Sequence, residues 1–279
     1  MNSDICIVTS FNQKLYEKYA YQFINSYLEQ KINIDLYIYS EDDKNNFKCN
    51  NNKIKVIQLL HNFPSIKKFY NNNNNYQLKK YIECPEKYKW KYDAIRFSYK
   101  IFSIIHNFNN YPNYKYILWI DADTLFLKKF NYKLIYKLIK ENNMISFLGR
   151  SKLEGHSECG FLIFNRNHKY MKEYFNEILH LYLSKNIYNE KEWHDSYIWD
   201  LIRKKYEEKY NIKNFNISKY FYRHLKNKNI NKNIFMAKNI MLKIPLNKYF
   251  LHLKGKINKE EKKIISQNDN NNYLYSIEI

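Results

Sequence analysis

Apolar residues in this chain come in short runs, separated by longer stretches where they recur at helical spacing. The first run, DICIVTS (Asp4 to Ser10), predicts a buried strand that breaks at Thr9-Ser10-Phe11-Asn12. Asn12 then stands as a helix N-cap before QKLYEKYAYQFINSYLEQ, whose apolar positions keep the helical period. INIDLYIYSED reads as a second strand ending in acids, and NNKIKVIQL as a third. A strand, a helix and another strand open a parallel sheet.

Asn71 to Asn75 is expected to be a polar surface loop. A helix is predicted from Glu86 to Phe108, with Pro112 in the turn that follows. YKYILWI is the next buried strand. It delivers Asp121 and Asp123 at its carboxyl end, where open α/β sheets bind ligands. Beyond it come a helix (Asn131 to Asn142), strands MISFLG and CGFLIFN, and a helix over HKYMKEYFNEILHLYL. Another helix runs from Glu190 to about Tyr210. Asn211 to Asn233 reads as basic and irregular, IMLKIP and KYFLHLKGK as a last strand and turn, and NDNNN as a tail that frays. With no repeat and no clean linker, one domain over residues 1–279 is expected.

Composition narrows the choices. Hydrophobic residues make up 45% of the 279, enough for a sizeable core, and the aromatic 18% is mostly Tyr, whose rings keep a polar tip. Only four glycines occur, and neither dinucleotide nor P-loop glycine motifs are present. The net charge of +20 attracts anions, yet Lys, Asn, Ile and Tyr share A/T-rich codons, so charge alone names no partner. Four scattered cysteines, an N-terminus without a basic n-region and no run approaching the ~20 apolar residues of a membrane span lead to the expectation of a cytoplasmic protein. Any membrane contact would be peripheral. No stable nucleic-acid partner is expected.

Asp121-Ala122-Asp123 carries the chemistry. Two acids this close need a cation or a donor-rich turn between them. One reading is a divalent metal site, since hard cations take carboxylate oxygens and leave positions for phosphate. A second is an Asp-rich turn capping backbone amides. A third is a phosphatase loop: ILWIDADTLF resembles the first motif of haloacid-dehalogenase-type phosphatases, with Asp121 as nucleophile and Asp123 as acid. Against that family, Thr124 replaces its usual Gly, Leu125 stands where its Thr belongs, and no Gly-Asp follows.

The apolar run ending in D-x-D resembles the metal-binding motif of GT-A glycosyltransferases. Downstream, FLHLKGK resembles the His-x-x-Gly segment of the glycogenin-like retaining family. That resemblance implies His252 as third metal ligand beside Asp121 and Asp123, Mn²⁺ or Mg²⁺ as the ion, Gly255 closing on phosphate, and Lys254 or Lys256 on the diphosphate. DAIRFSYK resembles the basic helix before D-x-D, implying Arg96 and Lys100, which share a helical face, at the donor. VTSFN resembles the nucleotide pocket, with Thr9, Ser10 and Phe11 on base and ribose, although Ser10 or Asn12 also suits a helix cap. GHSECGFLIFN resembles the segment facing donor sugar and acceptor, implying Glu158 and Gly160. EWHDSYIWD places His194 and Asp195 at a helix start, with Asp195 on sugar hydroxyls or as base; Trp193 and Trp199 suit core packing.

Six such segments in this order, from Ile5 to Lys256, imply an α/β GT-A-like fold: an open, mostly parallel central sheet flanked by helices. A Rossmann-like nucleotide-binding half would cover about 1–125, an acceptor and metal-completing half about 126–256, and a tail 257–279. The implied activity is transfer of a sugar from a UDP- or GDP-linked donor to a glycan, lipid-linked or protein acceptor, with the His segment favouring retention. If a base is needed, Asp195 or Glu158 would serve with a pKa raised by burial. The alternatives are the phosphatase and a basic nucleic-acid binder without catalysis.

Overall fold

A computed structural model of the chain describes residues 4–42, 49–130, 132–150, 155–226, 240–241 and 244–253, without the side chains of 74–79 and 223–226. Nine strands are formed among these residues: β1 (Ile5–Phe11), β2 (Asp35–Ser40), β3 (Ile54–Gln58), β4 (Tyr116–Ile120), β5 (Thr124–Phe126), β6 (Ile145–Leu148), β7 (Glu158–Asn165), β8 (Phe215–Asn216) and β9 (Phe250–His252). Seven build one sheet in the order β3-β2-β1-β4-β7-β6-β8, while β5 pairs with β9 apart from it. The first four strands are parallel. β7 runs against both β4 and β6, and β8 is parallel to β6, so β7 alone is reversed.

Side chains alternate across the sheet and feed a core on each face. Cys6 and Val8 of β1, with Ile117 and Trp119 of β4, meet the helices Pro64–Glu83, Ala94–Asn110, Met171–Leu183 and Asp195–Tyr210. Ile5, Ile7 and Phe11, with Tyr116, Leu118 and Ile120, meet the helices Tyr21–Glu29, Tyr132–Leu138 and Ile217–Lys226. Helices therefore cover both faces, which leaves the strand ends as the place for a ligand. Trp193 and Trp199 are core residues, 1% and 3% exposed.

Several boundaries differ from the sequence expectation. The Asn71 to Asn75 run lies inside the helix Pro64–Glu83. Asn is an indifferent helix former, but Ile66, Phe69 and Tyr70 anchor the helix in the core, and Asn73 Nδ2 bonds the Phe69 carbonyl. The Glu86 to Phe108 helix is divided: Glu86–Tyr92 forms tight 3₁₀ turns, and Asp93 starts a new helix by accepting the Arg96 amide at 3.1 Å. Asn12 caps its helix as expected, accepting from the Leu15 amide. The helix predicted from Glu190 begins at Asp195, with His194 as its cap. The stretch after Asn211 contains β8 and the helix Ile217–Lys226. Ile240 and Met241 are buried outside any strand, and the chain turns through Pro245–Lys248 into β9. Among the described residues, no helix is long and apolar enough to cross a membrane.

Candidate active site

The carboxyl ends of β1 and β4 lie side by side, because these strands pair in parallel. The reversed β7 brings its beginning, Glu158 to Gly160, to that same edge, and the Asp121 amide bonds the Gly160 carbonyl at 3.0 Å. The short ladder of β5 and β9 sets His252 opposite Thr124, and the Leu253 amide bonds the Asp123 carbonyl at 2.8 Å. A histidine 129 positions beyond Asp123 is thus pinned beside it by backbone pairing. His252 Nε2 lies 3.1 Å from Asp123 Oδ1 and 3.7 Å from Asp121 Oδ2. One ligand atom from each of the three residues falls within 4.8 Å of the others.

This group opens on a cleft of about 640 Å³ that also takes in Ser10, Glu41, Arg96, Arg150 and Asp195. The donor set fits a divalent ion: two half-buried carboxylates supply hard oxygens and a buried imidazole supplies one nitrogen. Gly160 makes room for the imidazole. A Cβ there would stand 2.6 Å from His252 Cε1 and 3.3 Å from Asp121 Oδ2.

Charge around the group is closely matched. Lys100 Nζ reaches Asp121 Oδ1 at 2.8 Å, Asp195 Oδ2 at 2.6 Å and the Cys159 carbonyl at 3.1 Å, which uses its three protons. Burial opposes its charge, but Asp121 and Asp195 outweigh that and hold its pKa above the ordinary lysine value. Trp119 Nε1 also donates to Asp121 Oδ1, so the other oxygen, Oδ2, is the one turned to His252. Burial would raise Asp195, yet the Lys100 ammonium holds its carboxyl below the usual range. This corrects the expectation of an acid raised by burial. Burial lowers His252, but bonds to Asp123 and Glu158 prevail and raise its pKa to about 9.

The other expected residues divide. Ser10 lines the cleft and donates to Glu41 Oε1 at 2.7 Å. Thr9 is enclosed in β1, and the Phe11 ring stacks on Tyr16 in the core, 6.0 Å between centroids, so neither lines the cleft. Alternation along β1 accounts for the division. Arg96, Lys100, Asp195 and Gly160 all line the cleft. Both oxygens of Glu158 are engaged, with His252 Nδ1 at 3.1 Å and the Ile240 amide at 2.6 Å. Lys254, Gly255 and Lys256 lie outside the described residues.

Residues not singled out from sequence also form the wall. Burial pushes Glu41, just past β2, up to about 7. Trp90 is 45% exposed, with its ring 4.8 Å from His194. Nothing in the pattern EKYKWKY marked that ring as part of a cleft. Beside it, His156, Glu192 and His194 form a second cluster of ligand-type groups. The His194 Nδ1 accepts the Tyr197 amide, which leaves the ring proton on Nε2, 2.7 Å from Glu192. A hydrogen-bonded pair accounts for that cluster without an ion.

No protein-family model and no curated protein matches this sequence. Solved structures do. The bifunctional glycosyltransferase WbbM superimposes with a TM-score of 0.52 at 12% identity, over 94% of this chain and 48% of that one. GlyE of Streptococcus pneumoniae gives 0.48 at 13% identity over 95% and 60%, and mouse xyloside xylosyltransferase 1 gives 0.44 at 12% over 73% and 83%. The fold is that of GT-A glycosyltransferases. This chain therefore spans about half the length of WbbM, and the likeness concerns architecture.

Proposed function

We propose that this protein is a divalent-metal-dependent glycosyltransferase that moves a sugar from a UDP- or GDP-linked donor to an acceptor hydroxyl. The convergence of Asp121, Asp123 and His252 at the end of β4, inside a cleft that also holds Ser10 and Glu41, supports this most directly. Asp121, Asp123 and His252 would hold Mn²⁺ or Mg²⁺; the imidazole in the set suits Mn²⁺ better. Bound there, the ion would offset charge on the leaving diphosphate.

The chain's own groups supply the rest. Arg96 in the cleft adds fixed positive charge for phosphate. Ser10 and Glu41, at the carboxyl ends of β1 and β2, sit where open sheets receive a nucleoside, and Glu41 offers an acceptor for ribose hydroxyls. Lys100 holds Asp121 and Asp195 in fixed relation. Asp195, ionised and tied to that lysine, is a poor proton acceptor. It is better suited to binding sugar hydroxyls and stabilising positive charge at the ring, which supports retention over base-assisted inversion. Among the described residues, Asp121 Oδ1 accepts from Lys100 and Trp119, and Oδ2 turns to His252, an arrangement that suits a held ligand carboxylate better than a free nucleophile.

The test is turnover. The protein, incubated with Mn²⁺ and each of a panel of UDP- and GDP-sugars, should release free nucleoside diphosphate from at least one donor, slowly to water and faster once an acceptor is supplied. Absence of release from the whole panel, alongside hydrolysis of p-nitrophenyl phosphate, would replace this reading with the phosphatase.

A further inference from the structure

Glu158 is the first residue of β7, and its side chain is almost fully enclosed, 2% exposed. An acid in such a place needs partners, because an unmatched buried charge is costly. Oε2 accepts the Ile240 amide at 2.6 Å, with Arg150 Nη2 at 3.5 Å, and Oε1 lies 3.1 Å from His252 Nδ1. The amide and the guanidinium can only donate, which suits an acceptor-only carboxylate, so the proton between Glu158 and His252 belongs on Nδ1.

The consequence falls on the other nitrogen. Nε2 faces Asp123 Oδ1 at 3.1 Å and Asp121 Oδ2 at 3.7 Å. An imidazole that ligates through Nε2 must carry its proton on Nδ1, and the bond made by Nδ1 sets that choice. Gly160, two residues along the same strand, leaves the space the ring occupies. β7 thus supplies both the gap for His252 and the acceptor that aims it.

We propose that Glu158 is a positioning residue of the metal centre, selecting the tautomer and ring orientation in which His252 presents Nε2 beside Asp121 and Asp123. The inference rests on reading those three residues as a metal centre, and it replaces the role of catalytic base that the sequence suggested for Glu158. Two acceptor oxygens are required at once, one for Ile240 and one for His252. A glutamine has one and must leave a donor unmatched.

Mn²⁺ affinity, measured from the paramagnetic resonance of the free ion on the purified full chain, tests this. Wild type, Glu158→Gln and Glu158→Leu are compared, each also with His252→Ala. Glu158→Leu should weaken Mn²⁺ binding about 10- to 100-fold, and Glu158→Gln by less. The metal-free unfolding midpoint of the Gln variant should fall modestly, because one buried donor loses its acceptor, and neither substitution should change Mn²⁺ affinity further once His252 is Ala. Should the Leu variant fail to fold, the near-isosteric Gln variant and its cycle with His252→Ala decide alone. Wild-type affinity in Glu158→Gln and Glu158→Leu, or an undiminished effect without His252, would overturn the role of Glu158 while leaving the metal centre standing. A wild-type protein that takes up no Mn²⁺ would overturn both.

Discussion

Lys100 Nζ lies 2.6 Å from Asp195 Oδ2 and 2.8 Å from Asp121 Oδ1, so one ammonium ties the start of the helix Asp195–Tyr210 to the end of β4. Replacing Lys100 with Met would leave the buried Asp195 and the half-buried Asp121 without their counter-charge. Such a loss typically costs about 3–5 kcal/mol. Urea unfolding at neutral pH should show a drop of that order, and acidification, which discharges Asp195, should narrow the gap to wild type.

The raised pKa of His252 sets a pH dependence. The group goes from an ordinary 6.5 to about 9 on folding, so its stabilisation is fully present below about 6.5 and is lost as pH rises through about 9. Metal uptake has the opposite trend, because an ion must displace the Nε2 proton. Mn²⁺ affinity should therefore climb between pH 6.5 and 9, with proton release visible when calorimetry is repeated in buffers of different ionisation enthalpy.

Gly160→Ala tests the seating of the ring. The added methyl would meet His252 Cε1 at 2.6 Å, so the ring or β7 must move. Overpacking of this kind costs about 1–3 kcal/mol. Stabilisation by Mn²⁺ in thermal unfolding should be reduced or lost.

Trp90 offers an exposed ring at the cleft, next to His194 and so beside Asp195. A sugar acceptor would use such a face. Trp90→Ala should shift unfolding by no more than about 0.5 kcal/mol, as an exposed position allows. It should leave donor hydrolysis near wild type and raise the acceptor KM once an acceptor is found.

The fold was legible wherever apolar runs were long enough to show a period. β1 and β4 could be read directly, although β1 runs on to Phe11, past the break expected from Thr9, and Asp121 falls just beyond β4. The short β5 and β8, of three and two residues, could not, because so few positions carry no period. The helical Asn71 to Asn75 run was hidden for another reason: its conformation is imposed by flanking Ile66, Phe69 and Tyr70 rather than by its own composition. At the site, Asp121, Asp123 and His252 were found through motifs, and the structure brings them together. Glu158 was noticed too, but its direction depends on which side chain lies across the sheet edge, which spacing along the chain does not encode. Trp90 and Glu41 carried no motif at all.

The most direct test of the proposed shared cation is thermal unfolding with UDP or GDP, with and without Mn²⁺. Wild type should be stabilised by one of the nucleotides only when the metal is present, and Asp123→Ala and His252→Ala should each abolish that coupling. Equal stabilisation without metal, or coupling that survives both substitutions, would contradict it.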